Sequence, residues 1–281
     1  MRPACSLVTL TLFILATPGG ADDPKPVTKL LGGKFKLEYV PGKKQDRVNF
    51  SVSSFDGAAL HDLAEMSEFK NLRYLSAGGC WGLHDAALKE LKSFPRLMEL
   101  DLETDPITDA GIAELTVCTN LKRLLLRETR ITNASLVTLK ALPSLEVLHL
   151  EKTAITDAGL KEFKDYKTLR RLNLGGCKQI TDAGMTELCA IPNLKELNLN
   201  ETNITDAGVK NLKDLAGLTK LAFSQTNITD ASVPTLKEFK HLKELHLGYT
   251  KISEAGMKEL MAALPKTKVG HSLKTGLKPK E

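Results

Sequence analysis

The sequence predicts an α/β solenoid, in which short parallel strands alternate with helical segments. Three observations carry this reading. Leu97, Leu121, Leu145 and Leu169 open successive copies of one pattern at steps of 24 residues, and self-similarity at such a period marks a stacked repeat. Each copy begins Leu-x-x-Leu-x-Leu, in which the second and third leucines lie on one side of a strand. Each continues through Ile-Thr-Asp-Ala-Gly into apolar positions separated by Lys and Glu, the pattern of a helix with one buried face.

Of the 281 residues, 42% are hydrophobic but only 5% aromatic, so a large core is available and leucine must fill it. Residues 1–21 read as a secretory signal peptide: Arg2, an apolar run from Leu7 to Ala16, and the small residues Gly19, Gly20 and Ala21 before Asp22. The run is shorter than the roughly 20 residues of a membrane span. Cys5 precedes it, unlike the cysteine of a lipoprotein signal. The reading is therefore an exported protein, periplasmic, extracellular or associated with the cell envelope.

Cys80, Cys118, Cys177 and Cys189 remain after cleavage. Cys80 and Cys177 hold equivalent positions four repeats apart, and at about 4.8 Å per strand they lie beyond the Cα separation of about 7 Å that a disulfide tolerates. All four are expected to be buried free thiols. The formal charge of +5 gathers at the two ends, in Lys25 to Arg47 and in Lys266 to Lys280, which leaves the repeats slightly acidic. Nucleic-acid binding needs basic residues clustered on one folded face, and the repeats show no such cluster, so no nucleic-acid partner is expected.

Residues 22–70 read as an N-terminal hairpin and a capping half-repeat. Val27 to Leu31 reads as one helical turn stopped by Gly32-Gly33, Phe35 to Tyr39 and Val48 to Val52 alternate as strands, and Pro41-Gly42 signals the turn between them. Phe55 to Phe69 supplies the first helical half. Residues 71–265 hold eight regular copies, opening at Leu72, Leu97, Leu121, Leu145, Leu169, Leu194, Leu218 and Leu242. The two 25-residue steps follow Gly78-Gly79-Cys80 and Gly175-Gly176-Cys177, which places the extra residue in the turn after the strand.

That turn carries a column of Cys80, Thr129, Thr153, Cys177, Thr202, Thr226 and Thr250, with Asp105 as the exception. A small donor there satisfies a carbonyl that the turn would bury unpaired. Thr156-Asp157, Thr181-Asp182 and Thr205-Asp206 mark helix starts. A small residue always follows two positions later, as at Gly111, Gly159, Gly184, Gly208 and Gly256, which close approach of neighbouring helices would explain. Pro234 should delay the helix of the seventh copy. Residues 266–281 read as an edge strand protected by lysine and a basic disordered tail.

The Gly-Cys-x-x-Ile-Thr-Asp-Ala-Gly stretch at Gly176 to Gly184 resembles the cysteine-containing leucine-rich repeats of F-box adaptor proteins. The Thr-x-Ile-Thr-Asp-Ala-Gly-Leu form at Thr153 to Leu160 is still more similar to uncharacterised exported bacterial leucine-rich repeat proteins, as is Leu31 to Lys34. This resemblance covers roughly Leu30 to Val269 and implies an α/β leucine-rich repeat solenoid, right-handed and curved, with parallel strands on the concave side and helices on the convex side, and a general role in protein recognition. No F-box-like segment stands before the repeats, so the adaptor role is not expected.

No His-Glu-x-x-His, Gly-x-Ser-x-Gly, Walker A or Gly-x-Gly-x-x-Gly pattern occurs, so no catalytic residue, cofactor or metal is assigned. His149 and His246 share a column but lie four strands apart, about 19 Å. The repeated Asp109, Asp157, Asp182 and Asp206 suit helix capping better than a calcium ladder. Sequons at Asn49, Asn133, Asn203 and Asn227 read mostly as coincidences of the repeat motif.

The expected function is therefore an exported, monomeric, non-catalytic scaffold that recognises a protein on its concave face. A structural cell-envelope protein is the alternative, with a hydrolase or metal-dependent enzyme behind it. Leu125 and Val147 are the apolar residues expected to be exposed on that face, beside Arg123, His149, Arg171 and Asn173. Apolar anchors next to arginine are typical of interface hot spots, so these six residues form the candidate partner site. Arg127, between Glu103 and Glu151, has a second explanation as a link in an inter-strand ion ladder.

Overall fold

The computed structural model describes residues 27–32, 35–39, 46–49, 55–215 and 217–270. The expected signal peptide, the Pro41-Gly42 turn and the tail beyond Gly270 lie outside the described residues. The chain forms two compact units. One runs to Arg130 and takes in Ala141–Ser144; the other comprises Ile131–Lys140 and the chain from Leu145 onward.

The first unit opens with β1 (Val27–Leu31) antiparallel to β2 (Phe35–Tyr39), Leu31 facing Phe35 in register. The helical turn expected at Val27 to Leu31 is thus a strand, as the β-branched Val27 and Thr28 favour. The hairpin joins these two segments, not Phe35 to Tyr39 with the segment beginning at Val48. Instead β3 (Arg47–Asn49) enters a parallel series with β4 (Tyr74–Ser76), β5 (Glu99–Asp101) and β6 (Arg123–Leu125). Two-residue alternation is common to hairpin and solenoid strands, so periodicity alone did not fix the partner.

The second unit stacks β7 (Val147–His149), β8 (Arg171–Asn173), β9 (Glu196–Asn198), β10 (Lys220–Ala222), β11 (Glu244–His246) and β12 (Lys268–Gly270), all parallel. Every strand here is three residues long, and its central residue meets the equivalent residue of the neighbour, as Leu148 meets Leu172 and Leu172 meets Leu197. Each unit is a length of α/β leucine-rich repeat solenoid.

The core has two leucine columns per strand, for example Leu100 and Leu102, or Leu197 and Leu199, all essentially without solvent contact. A third column three residues before each opening leucine holds Phe69, Phe94 and Cys118 in the first unit and Tyr166, Ile191 and Phe239 in the second. Tyr166 enters this column by donating its hydroxyl to the Leu136 carbonyl at 2.8 Å, since a buried O–H needs a partner. None of the four cysteines forms a disulfide, and Cys80, Cys118 and Cys177 are buried as expected, whereas Cys189 is only half-buried. Burial pushes the Cys118 thiol up to about 11.

The helical segments are shorter and tighter than their amphipathic pattern predicts. Asp85–Ser93 is entirely 3-10, and Asp109–Ala113 and Asp157–Leu160 are single α-turns that continue as 3-10 helix. A 3-10 helix rises about 2.0 Å per residue against 1.5 Å for an α-helix. It crosses the back of a 24-residue repeat in fewer residues. In the seventh copy a 3-10 turn, Asp230–Ser232, precedes the α-turn Val233–Leu236, whose first turn holds Pro234. The fifth copy has the same order, a 3-10 turn at Asp182–Gly184 before the α-turn Met185–Leu188, without a proline, so the late start is not specific to Pro234.

Candidate functional site

The solvent face of each sheet is built by the residues that flank each buried central leucine. In the first unit Arg47 lies 4.2 Å over the Tyr74 ring, and Arg123 Nε lies 3.5 Å from Glu99 Oε1. Leu125, expected as an exposed anchor, is only 9% exposed and belongs to the buried set. It stands in register with Asp101, whose Oδ1 accepts the Glu103 N–H and whose Oδ2 accepts the Ser76 hydroxyl. Arg127 pairs with the adjacent Glu128 at 3.0 Å and also acts on Glu103 of the neighbouring repeat. Burial, and then repulsion from Asp101, raise the Glu103 carboxyl against the pull of Arg127 and Arg123.

In the second unit Val147 is half-buried and in register with Arg171, which forms an ion pair with Glu196 at 3.0 Å. His149 Nδ1 lies 3.8 Å from Glu151. Asn173 donates its side-chain N–H to the same glutamate and accepts the Gly175 N–H at 3.1 Å. Asn198 accepts the Asn200 N–H in the same manner. Farther along, Glu244 lies 2.9 Å from Lys220 and 3.2 Å from His246, and those contacts, Lys220 first, hold its carboxyl below the usual range. Inter-strand ion pairs are thus made by Arg123 within the first unit and by Arg171 and Lys220 within the second.

On the helical side the Thr-Asp pairs divide their work. The threonines cap: Thr108, Thr181, Thr205 and Thr229 each accept the N–H two residues ahead. The aspartates reach into the next repeat. Asp85 accepts the Thr108 N–H and hydroxyl, Asp182 those of Thr205, Asp206 those of Thr229, and Asp230 those of Ser253. Asn133 does the same for Thr156 with its amide. This corrects the assignment of Asp157, Asp182 and Asp206 as caps of their own helices. Among the described residues no group of three His, Cys, Asp or Glu is placed to hold a metal.

The same geometry explains the small residue. A Cβ at Gly111, Gly184, Gly208 or Gly256 would overlap the carboxylate of Asp85, Asp157, Asp182 or Asp230 from the preceding repeat. The crowding is therefore with a carboxylate first. Ser232 turns the overlap into a contact by donating its hydroxyl to Asp206. Burial would raise Asp206, but the hydrogen bonds from Ser232 and Thr229 outweigh it and hold the carboxyl low.

The turn after each strand places one residue in the left-handed region: Gly79, Thr104 and Glu128 in the first unit, and Lys152, Gly176, Glu201, Gln225 and Tyr249 in the second. For a non-glycine residue this costs roughly 1–2 kcal/mol. It also aims the N–H at the next repeat: Thr104 donates to the Arg127 carbonyl at 2.7 Å, and Glu201 to Ser224 at 2.8 Å. The following column behaves as expected. Thr129, Thr202, Thr226 and Thr250 each donate a hydroxyl to the carbonyl three residues back, at 2.6 to 2.9 Å. Asp105 is 1% exposed, and its carboxylate oxygens meet nothing stronger than a weak contact from the Cys80 backbone. Burial pushes it up to about 8, the Cys80 backbone lowers it only in part, and Asp101 adds repulsion.

A cavity of about 540 Å³ that no motif marked lies in the first unit, at the helix-to-strand loops. Asp46, Asn71, Arg73, Arg96, Asn120 and Lys122 line it, with Met98 beneath Arg73. Its signal lay in the position just before each strand, which holds Arg73, Met98 and Lys122.

A short parallel strand, a left-handed turn and a helical return, repeated at 24 residues over a leucine core, define a leucine-rich repeat protein, and this chain is one. The leucine rich repeat family model matches residues 119–178 and 192–253. Among solved structures, internalin C2 from Listeria monocytogenes is similar at 23% identity, with a TM-score of 0.50, covering 67% of this chain and 84% of that one. The likeness is one of fold. A comparison with curated proteins gives no match.

Proposed function

We propose that this protein is an exported, monomeric, non-catalytic scaffold that binds a protein partner on the solvent face of its sheet. The residues assigned are Val147, His149, Arg171 and Asn173 of the second unit; Arg123 and Leu125 belong to the first, where Leu125 is buried. Export rests on the charged, apolar and small-residue segments of residues 1–21. No helix among the described residues is long and apolar enough to cross a membrane.

The observation that carries the reading is Val147, an apolar side chain on a polar face, in register with an arginine whose side chain is 52% exposed. Apolar anchors beside arginine concentrate binding energy. The structural-envelope reading draws on the ion pairs of Arg171 with Glu196 and Lys220 with Glu244, which offset the face's charges without a partner.

Capture from envelope extract by the full chain, repeated with Val147→Asp and Arg171→Glu, tests the two. Loss of the captured protein with an unchanged thermal midpoint supports recognition. Retention by both variants removes this face, and sedimentation with protein-free wall polymer favours the structural role.

A further inference from the structure

One turn of the first unit breaks the column of donors that closes each strand. Thr129, Thr153, Thr202, Thr226 and Thr250 donate a hydroxyl to the carbonyl three residues back, and Cys177 donates its thiol to the Leu150 carbonyl of the preceding copy. Asp105 holds the same place. Its backbone N–H lies 3.3 Å from the Leu102 carbonyl, the distance at which Thr129 meets Leu126 and Thr153 meets Leu150. The turn is therefore the same, and only the side chain differs. An ionised Asp105 can only accept, and it would set a negative charge among carbonyl oxygens, 1% exposed, with no more than a weak contact from the Cys80 backbone. The surrounding charges do not relieve it. Arg123 and Arg127 act on Glu103, Glu128 pairs with Arg127, and the charge that acts on Asp105 is the like-charged Asp101. The equivalent positions of the flanking copies hold Cys80 and Thr129, and neither is a cation.

We propose that Asp105 is a neutral carboxylic acid whose O–H replaces the threonine hydroxyl of the column, donating to the turn carbonyl of Leu102 or Ala77, and that loss of this proton unlocks the turn as an alkaline-sensitive switch. A neutral acid supplies the missing donor and removes the buried charge at once. Ionisation reverses both. It places a second carboxylate beside Asp101, whose oxygens hold the Glu103 N–H and the Ser76 hydroxyl. It also turns a donor into an acceptor against carbonyl oxygens. The turn so released is the one from which Thr104, in the left-handed region, donates to the Arg127 carbonyl at 2.7 Å and ties its copy to the next. Burial, with Asp101 behind it, pushes the Asp105 carboxyl up to about 8. The lock thus holds at neutral pH and opens in mild alkali.

The experiment follows the full chain by infrared spectroscopy and amide hydrogen exchange through a pH titration, beside Asp105→Asn and Asp105→Thr, which keep a neutral donor at every pH. Ordinary Asp and Glu side chains are ionised at about pH 6. A protonated-carboxyl band present there in the unaltered chain and missing from both variants therefore belongs to Asp105. That band should fade between about pH 7 and about pH 9. Over the same interval the amides of Glu103, Thr104 and Asp105 should exchange faster than in the variants, the excess growing by at most about tenfold per pH unit, the limit for one proton. The equivalent turn at Asn200, Glu201 and Thr202 should exchange alike in all three proteins. Should one variant fail to fold, the other and the titration of the band in the unaltered chain still decide. Absence of the band overturns the proposal. So does a band whose loss leaves exchange of the turn unchanged, or an equal acceleration at Asn200 to Thr202, which marks general alkaline unfolding.

Discussion

Asp157 accepts both the backbone N–H and the hydroxyl of Thr181, at 2.9 and 2.6 Å, although Thr181 begins the helical segment of the next repeat. One carboxylate thereby fixes where its neighbour's helical segment starts. The same clasp recurs within each unit, with Asn133 as its amide version. It also excludes a side chain from the glycine that follows.

The first prediction tests that coupling at Asp230 and Gly256. Gly256→Ala should destabilise by about 1–3 kcal/mol through overpacking, and Asp230→Ala by about 1 kcal/mol through lost hydrogen bonds. Together they should cost less than their sum, because the alanine methyl then fits where the carboxylate was. Additive losses in urea unfolding would separate the glycine from the clasp.

Asp105 should make stability fall as the solution becomes alkaline. Its folded pKa, about 8, lies above the ordinary carboxylate value. Its contribution is therefore full below about pH 4, declines as pH rises toward 8, and is lost above it. Asp105→Thr restores the hydroxyl found at Thr129 and removes the titration. The variant's gain in thermal midpoint should grow from pH 4 to pH 8 and then level off. A gain that is constant across that window would show that Asp105 does not titrate there.

Left-handed residues supply a third test. Glu201→Gly removes a strain of roughly 1–2 kcal/mol while adding about 0.5–1 kcal/mol of unfolded-state freedom. The net effect should be a small stabilisation, read as a higher denaturation midpoint. A loss would mean that the Glu201 side chain contributes more than its backbone costs.

Leu125→Asp should unfold its repeat nearly as readily as Leu124→Asp, since both side chains are buried and an unpaired carboxylate in either place costs several kcal/mol. Chemical denaturation of the two variants checks this. A fully stable Leu125→Asp would return the leucine to the surface.

The sequence by itself determined the architecture and register. A leucine every second or third residue at a fixed 24-residue step leaves one way to bury all of them, so the strands, the free cysteines and the threonine column could be read before any coordinates. What only the tertiary structure decided concerns partners distant in sequence. The hairpin partner of Phe35–Tyr39, the reach of Asp157 into the next repeat, the burial of Leu125 and the cavity around Arg73 each depend on which atoms stacking brings together. A repeating pattern specifies what every copy has in common. It does not specify how one copy's unlike residues meet those of its neighbour, and that is where both the clasp and the candidate sites are made.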